Sequence, residues 1–261
     1  MMNDVKNPIF SPNKTVAVVC YLFMTLLGGS LFATLIIAIY CGIDTTVSFQ
    51  ELLSALTKTN IDEIEKHLLK PYAMVNALTN MMTYLCSLAL VFFFMRNFIM
   101  EDAIQLKKRY KKLCWFIPLA AGVTYALTFL VDWGIQSLIH QTSANQNLIV
   151  TMIEHGGAPY MFIAVVLCAP IVEELIYRKA IFEFLKKKHI AISYLVSILL
   201  FTLPHMFSSQ ASIGDWFLMC IPYAFSGLLL CVVYHLSDKN IYASWFAHLV
   251  NNLIAFLLII I

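Results

Sequence analysis

Apolar residues fall in long unbroken blocks along this chain, parted by short polar stretches, with no strand-like alternation. Charge-free runs cover residues 15–43, 71–95, 113–130, 155–172, 189–214, 216–237 and 240–261, with Lys14 and Asp44 just flanking the first. Each run reaches the roughly 18–20 residues a helix needs to cross a bilayer. Backbone groups in hydrocarbon must be satisfied within their own segment, so such runs are helical. The pattern predicts an all-α, polytopic helical membrane protein of about seven transmembrane helices. The fourth has the least definite end, because its apolar run flows directly into Glu173.

Composition agrees: 61% of the 261 residues are hydrophobic and only 12% charged, and mean hydropathy is +0.80. A soluble fold cannot bury that much apolar surface. The net charge of +2 matters less than where the charges lie. With a cytoplasmic amino terminus, the inside segments hold Lys6, Lys14, Arg96, Lys107, Lys108, Arg109, Lys111, Lys112, Arg178, Lys179, Lys186, Lys187, Lys188 and Lys239. That leaves Lys58, Lys66 and Lys70 outside, or 14 basic residues against 3 of the 17. The positive-inside rule then orients the chain N-in and C-out. Basic clusters beside membrane spans are topogenic, so no nucleic-acid partner is expected. The seven cysteines show no CxxC spacing, and Cys86, Cys168, Cys220 and Cys231 read as small buried hydrophobes. The first run is too long for a signal-peptide core and is expected to stay as a span.

The connecting segments carry less information. Residues 44–70 have helical spacing, with Leu52, Leu53 and Leu56 on one side, and predict an interfacial helix. Residues 96–112 read as a basic inside loop, and residues 141–157, ending in Gly156 and Gly157, as an outside loop. Asp132, beside Trp133, is expected at the membrane interface. Residues 1–157 form an amino-terminal group of three helices without readable chemistry, and residues 158–261 hold all the candidate chemistry.

That chemistry lies in three strings: Glu173-Glu174-Leu175-Ile176-Tyr177-Arg178, Phe201-Thr202-Leu203-Pro204-His205 and His248-Leu249-Val250-Asn251-Asn252. Ionisable groups at membrane depth are expensive and mark functional sites. On a helix Glu174 and Arg178 stand i,i+4, the favourable order for an ion pair. Glu173 points about 100° away from Glu174 and is left as a carboxylate able to accept a proton. Alone, this string reads equally well as the charged end of a helix leaving the membrane. His205 changes the balance. Counted from a turn at residues 188–189, Glu173 and His205 lie at matching heights, roughly 23–25 Å along an antiparallel pair. Pro170 and Pro204 break the backbone just before each, which is tolerated where backbone faces other helices or water. His248 and Asn252 share one face of the last helix at i,i+4. The three strings predict a polar cavity in the inner half or middle of the bilayer, open to the cytoplasm.

E-E-x-x-x-R, F-x-x-x-H and H-x-x-x-N, in that order over the last roughly 100 residues, resemble the CPBP intramembrane proteases. That family takes in the type II CAAX prenyl endopeptidases and the bacterial bacteriocin-processing and self-immunity proteins, also called Abi. The resemblance does not extend to residues 1–157. It implies a (metallo)endopeptidase of the cell membrane, acting on a membrane-associated peptide or protein substrate in the lipid bilayer. By the same carry-over Glu173 is the general base on water with His205 beside it. His248 and Asn252 line the opposite side, and Glu174 and Arg178 support them. Two chemistries fit. A divalent metal, zinc in the first instance, would take Glu173, His205 and His248 as ligands with an open water position. Without metal, Glu173 and His205 activate water while His248 and Asn252 donate to the oxyanion. The convergence of three ligand-type side chains favours the metal version.

Two other classes compete. A non-catalytic bacteriocin-immunity or scaffold protein could bind a peptide in the same cavity, but a pure binder has no need of all four polar residues. A transporter using Glu173 and Asp132 is the other, and the lack of paired broken helices in two halves counts against it. The substrate itself, whether CAAX-type, pheromone or bacteriocin-related, is not written in the sequence.

Overall fold

A computed structural model describes residues 12–58, 61–187, 189–206 and 211–261, and the described residues are helices joined by short turns. Among the described residues six helices are long and apolar enough to cross a membrane. They are α1 (Asn13–Ile43), α3 (Lys66–Lys108), α4 (Tyr110–Ile139), α5 (Ala144–Lys186), α7 (Ile213–Leu236) and α8 (Ile241–Ile260). Between them lie a short helix α2 (Phe49–Thr57) and a shorter apolar helix α6 (Ile190–Met206). Seven apolar helices therefore match the seven apolar runs, with α6 falling short of the roughly 20 residues of a perpendicular span. The protein is a polytopic all-α membrane protein. Lys6 and Lys188, two of the charges used for orientation, lie outside the described residues, as do residues 207–210 of the fifth run.

Helix α5 is the axis of the bundle. Its apolar stretch is 67% buried, against 17% for α1 and 11% for α4, whose outer faces are left for lipid. The central core gathers Val172, Leu175, Ile176 and Phe182 of α5 with Tyr21 of α1, Met95 of α3, Phe201 of α6, Tyr234 of α7 and Ala247 of α8. Residues on both sides of position 157 thus share one core, and that position lies inside α5, just after a kink. At the kink His155 leaves helical geometry and Gly156 takes φ +97°, a conformation open to glycine without strain.

Several boundaries differ from the sequence reading. The loop expected at 141–157 is largely helical, because the Ser143 hydroxyl caps α5 by accepting from the Gln146 N–H at 3.2 Å. The basic loop expected at 96–112 is helix up to Lys108, and only Arg109 separates α3 from α4. Basic side chains snorkel from helix ends, so charge alone did not mark the turn. Within 44–70 the helix is present, but it buries Leu52 and Ala55 against α1 and α3 while Leu53 is exposed. Its start is a capping box: the Ser48 N–H donates to Glu51 at 2.8 Å and the Glu51 N–H to the Ser48 hydroxyl at 3.3 Å. These bonds from the Ser48 hydroxyl and N–H hold the Glu51 carboxyl below the usual range.

A buried ionic network ties the helices together at the lysine-rich end. Lys179 donates to both Asp102 oxygens at 2.8 and 2.9 Å. Lys14 donates to Glu183 at 2.7 Å, and Tyr234 donates to the other Glu183 oxygen. Asp102 also accepts from the Ile241 N–H at 2.9 Å, at the start of α8. Two cations against two carboxylates leave the network neutral, the condition for burying charge.

Gly157 sits where α5 crosses α3: a Cβ there would stand 2.6 Å from Ala77 Cβ and 2.6 Å from the Met152 carbonyl oxygen. Gly157→Val is therefore expected to destabilise by about 1–3 kcal/mol, the usual cost of overpacking. Thermal unfolding in detergent, followed by tryptophan fluorescence, reads this as a lower midpoint. Gly134→Ala, with nothing within 4 Å of its Cβ position, should show no such loss.

Candidate active site

Glu173, Glu174 and Arg178 sit where α5 departs from regular α geometry. Residues Phe162–Cys168 and Glu174–Phe182 are π-helical, on either side of Ala169–Glu173. Such bulges cluster at functional sites. The Ala169 N–H bonds to the Ala164 carbonyl. The next bond in that register would run from position 170 to Val165, but residue 170 is proline and has no N–H. Asn252 supplies the missing donor: its Nδ2 donates to the Val165 carbonyl at 2.8 Å. Pro170 and Asn252, 82 positions apart, are thus two halves of one arrangement that fixes α8 against α5.

The two adjacent glutamates face different partners. Glu174 is fully buried and lies 3.0 Å from Arg178 Nη1. Arg178 continues to the Gly227 carbonyl, to which Nη2 donates at 3.1 Å, and its guanidinium lies 4.7 Å from the Phe201 ring centroid. Glu174 also meets His248 Nδ1 at 3.2 Å. Glu173, 4% exposed, accepts from the Tyr84 hydroxyl at 2.8 Å through Oε1. Its Oε2 lies 3.9 Å from His248 Nε2, too long for a direct hydrogen bond and short enough for one water to touch both groups. Glu174 is paired with Arg178 behind the site, and Glu173 presents its carboxyl group to the cavity.

His205 lies in the last turn of α6. Its Nδ1 is 2.8 Å from the Phe201 carbonyl, an acceptor, so that nitrogen carries the proton. The ring stacks on Tyr223 at 4.7 Å, and its Nε2 makes no hydrogen bond to a described residue. Glu173, His205, His248 and Asn252 all line one cavity of about 560 Å³. They are therefore brought to a common space from α5, α6 and α8. Among the described residues no group of three His, Cys, Asp or Glu side chains is placed to hold a metal ion. Glu173 and His248 approach each other, but among the described residues the three-ligand set expected from the sequence is not drawn together.

The cavity also holds residues that the sequence reading passed over. Tyr84 reaches Glu173 from α3, and the Tyr21 hydroxyl meets that of Tyr177 at 3.1 Å; all three tyrosines line the cavity. A tyrosine in an apolar run has no spacing that links it to a glutamate 89 positions away. Asp132, expected at the membrane interface and outside any site, stands on the cavity wall. The lining runs from Glu173 to Ile139, Gln141, Ser143, Asn145 and Gln146, the end of the bundle opposite Lys107–Lys108 and Lys186–Lys187.

The fold and these residues define a multi-pass membrane protein with a glutamate–histidine site sunk between helices. Residues 155–254 match the family model described as "Type II CAAX prenyl endopeptidase Rce1-like", a segment that contains all three strings. The matched segment agrees with the resemblance read from the sequence. No curated protein and no solved structure matched the chain in the parallel comparisons.

Proposed function

We propose that the protein is an intramembrane endopeptidase that hydrolyses a peptide bond of a membrane-associated peptide or protein, with Glu173 as general base. The observation that carries this reading is the division of labour between the two glutamates. Glu174 is spent on Arg178 and His248, while Glu173 faces the cavity with Oε1 fixed by Tyr84 and Oε2 turned toward His248. A scaffold protein gains nothing from a carboxylate held open in this way.

In the proposed reaction a water beside Glu173 Oε2 loses a proton to that oxygen as its own oxygen attacks the scissile carbonyl carbon. His205 Nε2, unprotonated while Nδ1 donates to Phe201, accepts the water's second hydrogen and orients it. The tetrahedral oxyanion takes hydrogen bonds from the second Nδ2–H of Asn252 and from His248 Nε2 when that ring carries both protons. The carbon–nitrogen bond then breaks, and the proton held by Glu173 passes to the departing amine. The resemblance also implies a divalent ion such as zinc, with Glu173, His205 and His248 as its candidate ligands, although among the described residues these three are not grouped to hold one. Elemental analysis of active protein tests that branch. About one zinc per chain, lost on His205→Ala or His248→Ala, supports it, and full activity without metal removes it.

The reaction class is tested with purified protein in lipid nanodiscs, given quenched apolar peptides in ¹⁸O water. Hydrolysis places one ¹⁸O in the new carboxyl terminus of the product. Wild-type protein that cuts no peptide while the cavity binds them would support the immunity or scaffold reading.

The N-in orientation is part of the proposal and rests on the excess of basic residues on one side. Cysteine labelling is expected to place residues 107–112 and 186–189 in the cytoplasm, and residues 44–65, 140–146 and the carboxyl terminus outside. With that orientation the cavity opens away from the cytoplasm. Labelling of positions 186–189 from outside would reverse both.

A further inference from the structure

We propose that the cavity contains a cation subsite at Asp132, so that the substrate presents an ammonium or guanidinium group on the side of the scissile bond nearest the cavity's outer end. The inference rests on the protease reading for its placement relative to the scissile bond, but not for its binding chemistry. Helix α4 turns one face to the cavity: Tyr125, Thr128, Phe129, Asp132, Ile135, Gln136 and Ile139 all line it. These positions repeat at three and four residues, so Asp132 sits in the middle of a facing stripe. Trp133, next in sequence, is 64% exposed on the lipid side. A carboxylate turned inward from a membrane helix is costly unless it is used.

The partners of Asp132 are few. Gln136 Nε2 donates to Oδ2 at 2.8 Å, and Asp132 has no ion pair with any described residue. Among the described residues the cavity wall carries two carboxylates, Asp132 and Glu173, and no lysine or arginine. Beyond Asp132 the wall includes the carboxamides and hydroxyl of Gln141, Ser143, Asn145 and Gln146 among apolar side chains such as Ile139 and Leu148. Oxygen acceptors around one unpaired carboxylate complement a cation with several N–H donors. Below it, the rings of Tyr125 and Phe129 stack at 6.0 Å and offer an apolar wall to the aliphatic stem of a lysine or arginine.

The same wall disfavours anions. A substrate cut within a few residues of its own carboxyl terminus would bring that carboxylate into the cavity, at about 3.3 Å per residue from the scissile bond. It would meet two like charges and no fixed cation. The wall thus favours a basic group over an acidic one beside Asp132.

The test measures binding, so that it stands apart from hydrolysis. Fluorescent twelve-residue peptides share one apolar core and carry Lys-Lys, Gln-Gln or Glu-Glu flanks. They are titrated onto the Glu173→Gln protein in nanodiscs of zwitterionic lipid. The Lys peptide is expected to bind about tenfold more tightly than the Gln peptide, and the Glu peptide more weakly than either, at moderate salt. Asp132→Asn should bring the Lys-to-Gln ratio close to one, with Asp132→Ser as the neutral variant should the first not fold, and Asp132→Lys should favour the Glu peptide. A pair with free and acetylated amino termini separates a terminal ammonium from a side chain. Equal binding of all three peptides, no binding of any, or a lysine preference that survives both neutral variants would overturn the subsite. A preference that depends on Asp132, in a protein that hydrolyses nothing, would leave the subsite standing and sink the protease reading instead.

Discussion

Glu173→Gln should lower peptide hydrolysis by about 10²–10⁴-fold, the range lost when a positioned general base is removed. The amide keeps the size of the side chain, and its oxygen still accepts from Tyr84, which holds Glu173 at 2.8 Å. What disappears is the capacity to take a proton from water. Expression, membrane insertion and the thermal midpoint should stay close to wild type, because among the described residues Glu173 pairs with no lysine or arginine. Turnover in nanodiscs and thermal unfolding of the same preparation check both halves. Turnover near wild type would take Glu173 out of the mechanism.

Arg178→Ala should act in the opposite way, through the fold first. Arg178 and Glu174 are both fully buried and 3.0 Å apart. Removing one partner of such a pair costs about 3–5 kcal/mol, because the other charge stays buried and unpaired. The Gly227 carbonyl loses its donor and Phe201 loses the cation over its ring at the same step. Protein level and thermal midpoint should therefore fall together with activity. Arg178→Lys keeps the charge but not the planar fork that reaches Glu174 and Gly227 at once, and should recover only part of the loss. Full stability with activity alone abolished would put Arg178 at the substrate instead of behind the site.

The sequence was most legible where one physical rule dominates. Lipid forces each span to close its own hydrogen bonds, so helical spans could be read from apolar runs, and α1, α7 and α8 lie close to theirs. The i,i+4 spacing of Glu174 and Arg178 likewise translated directly into an ion pair. Where two rules compete the reading failed. Residues 96–108 are charged enough for a loop, but charged side chains at a helix end reach water without ending the helix. Residues 144–157 are polar and glycine-containing, yet Ser143 caps a helix there and Gly156 bends it without breaking it.

The site shows the same division. Glu173, His205, His248 and Asn252 were legible because each is a polar group in an apolar run, and one helix face or one hairpin height related them in pairs. Tyr84 and Asp132 come from helices whose place beside α5 and α8 is set by packing across the whole bundle. Nothing local to either residue carries that information. The role of Asn252 lies between the two. Pro170 announces a freed carbonyl, but only the π-helical register shows that the carbonyl is that of Val165 and that Asn252 answers it.

The most direct test of hydrolysis at Glu173 is a comparison of peptide termini in membranes of cells carrying the wild-type protein with those carrying Glu173→Gln at equal level. New amino termini that fall within or next to an apolar segment, present with the wild type and absent with the variant, are the predicted result. Identical sets of termini, with both proteins folded and inserted, would contradict it.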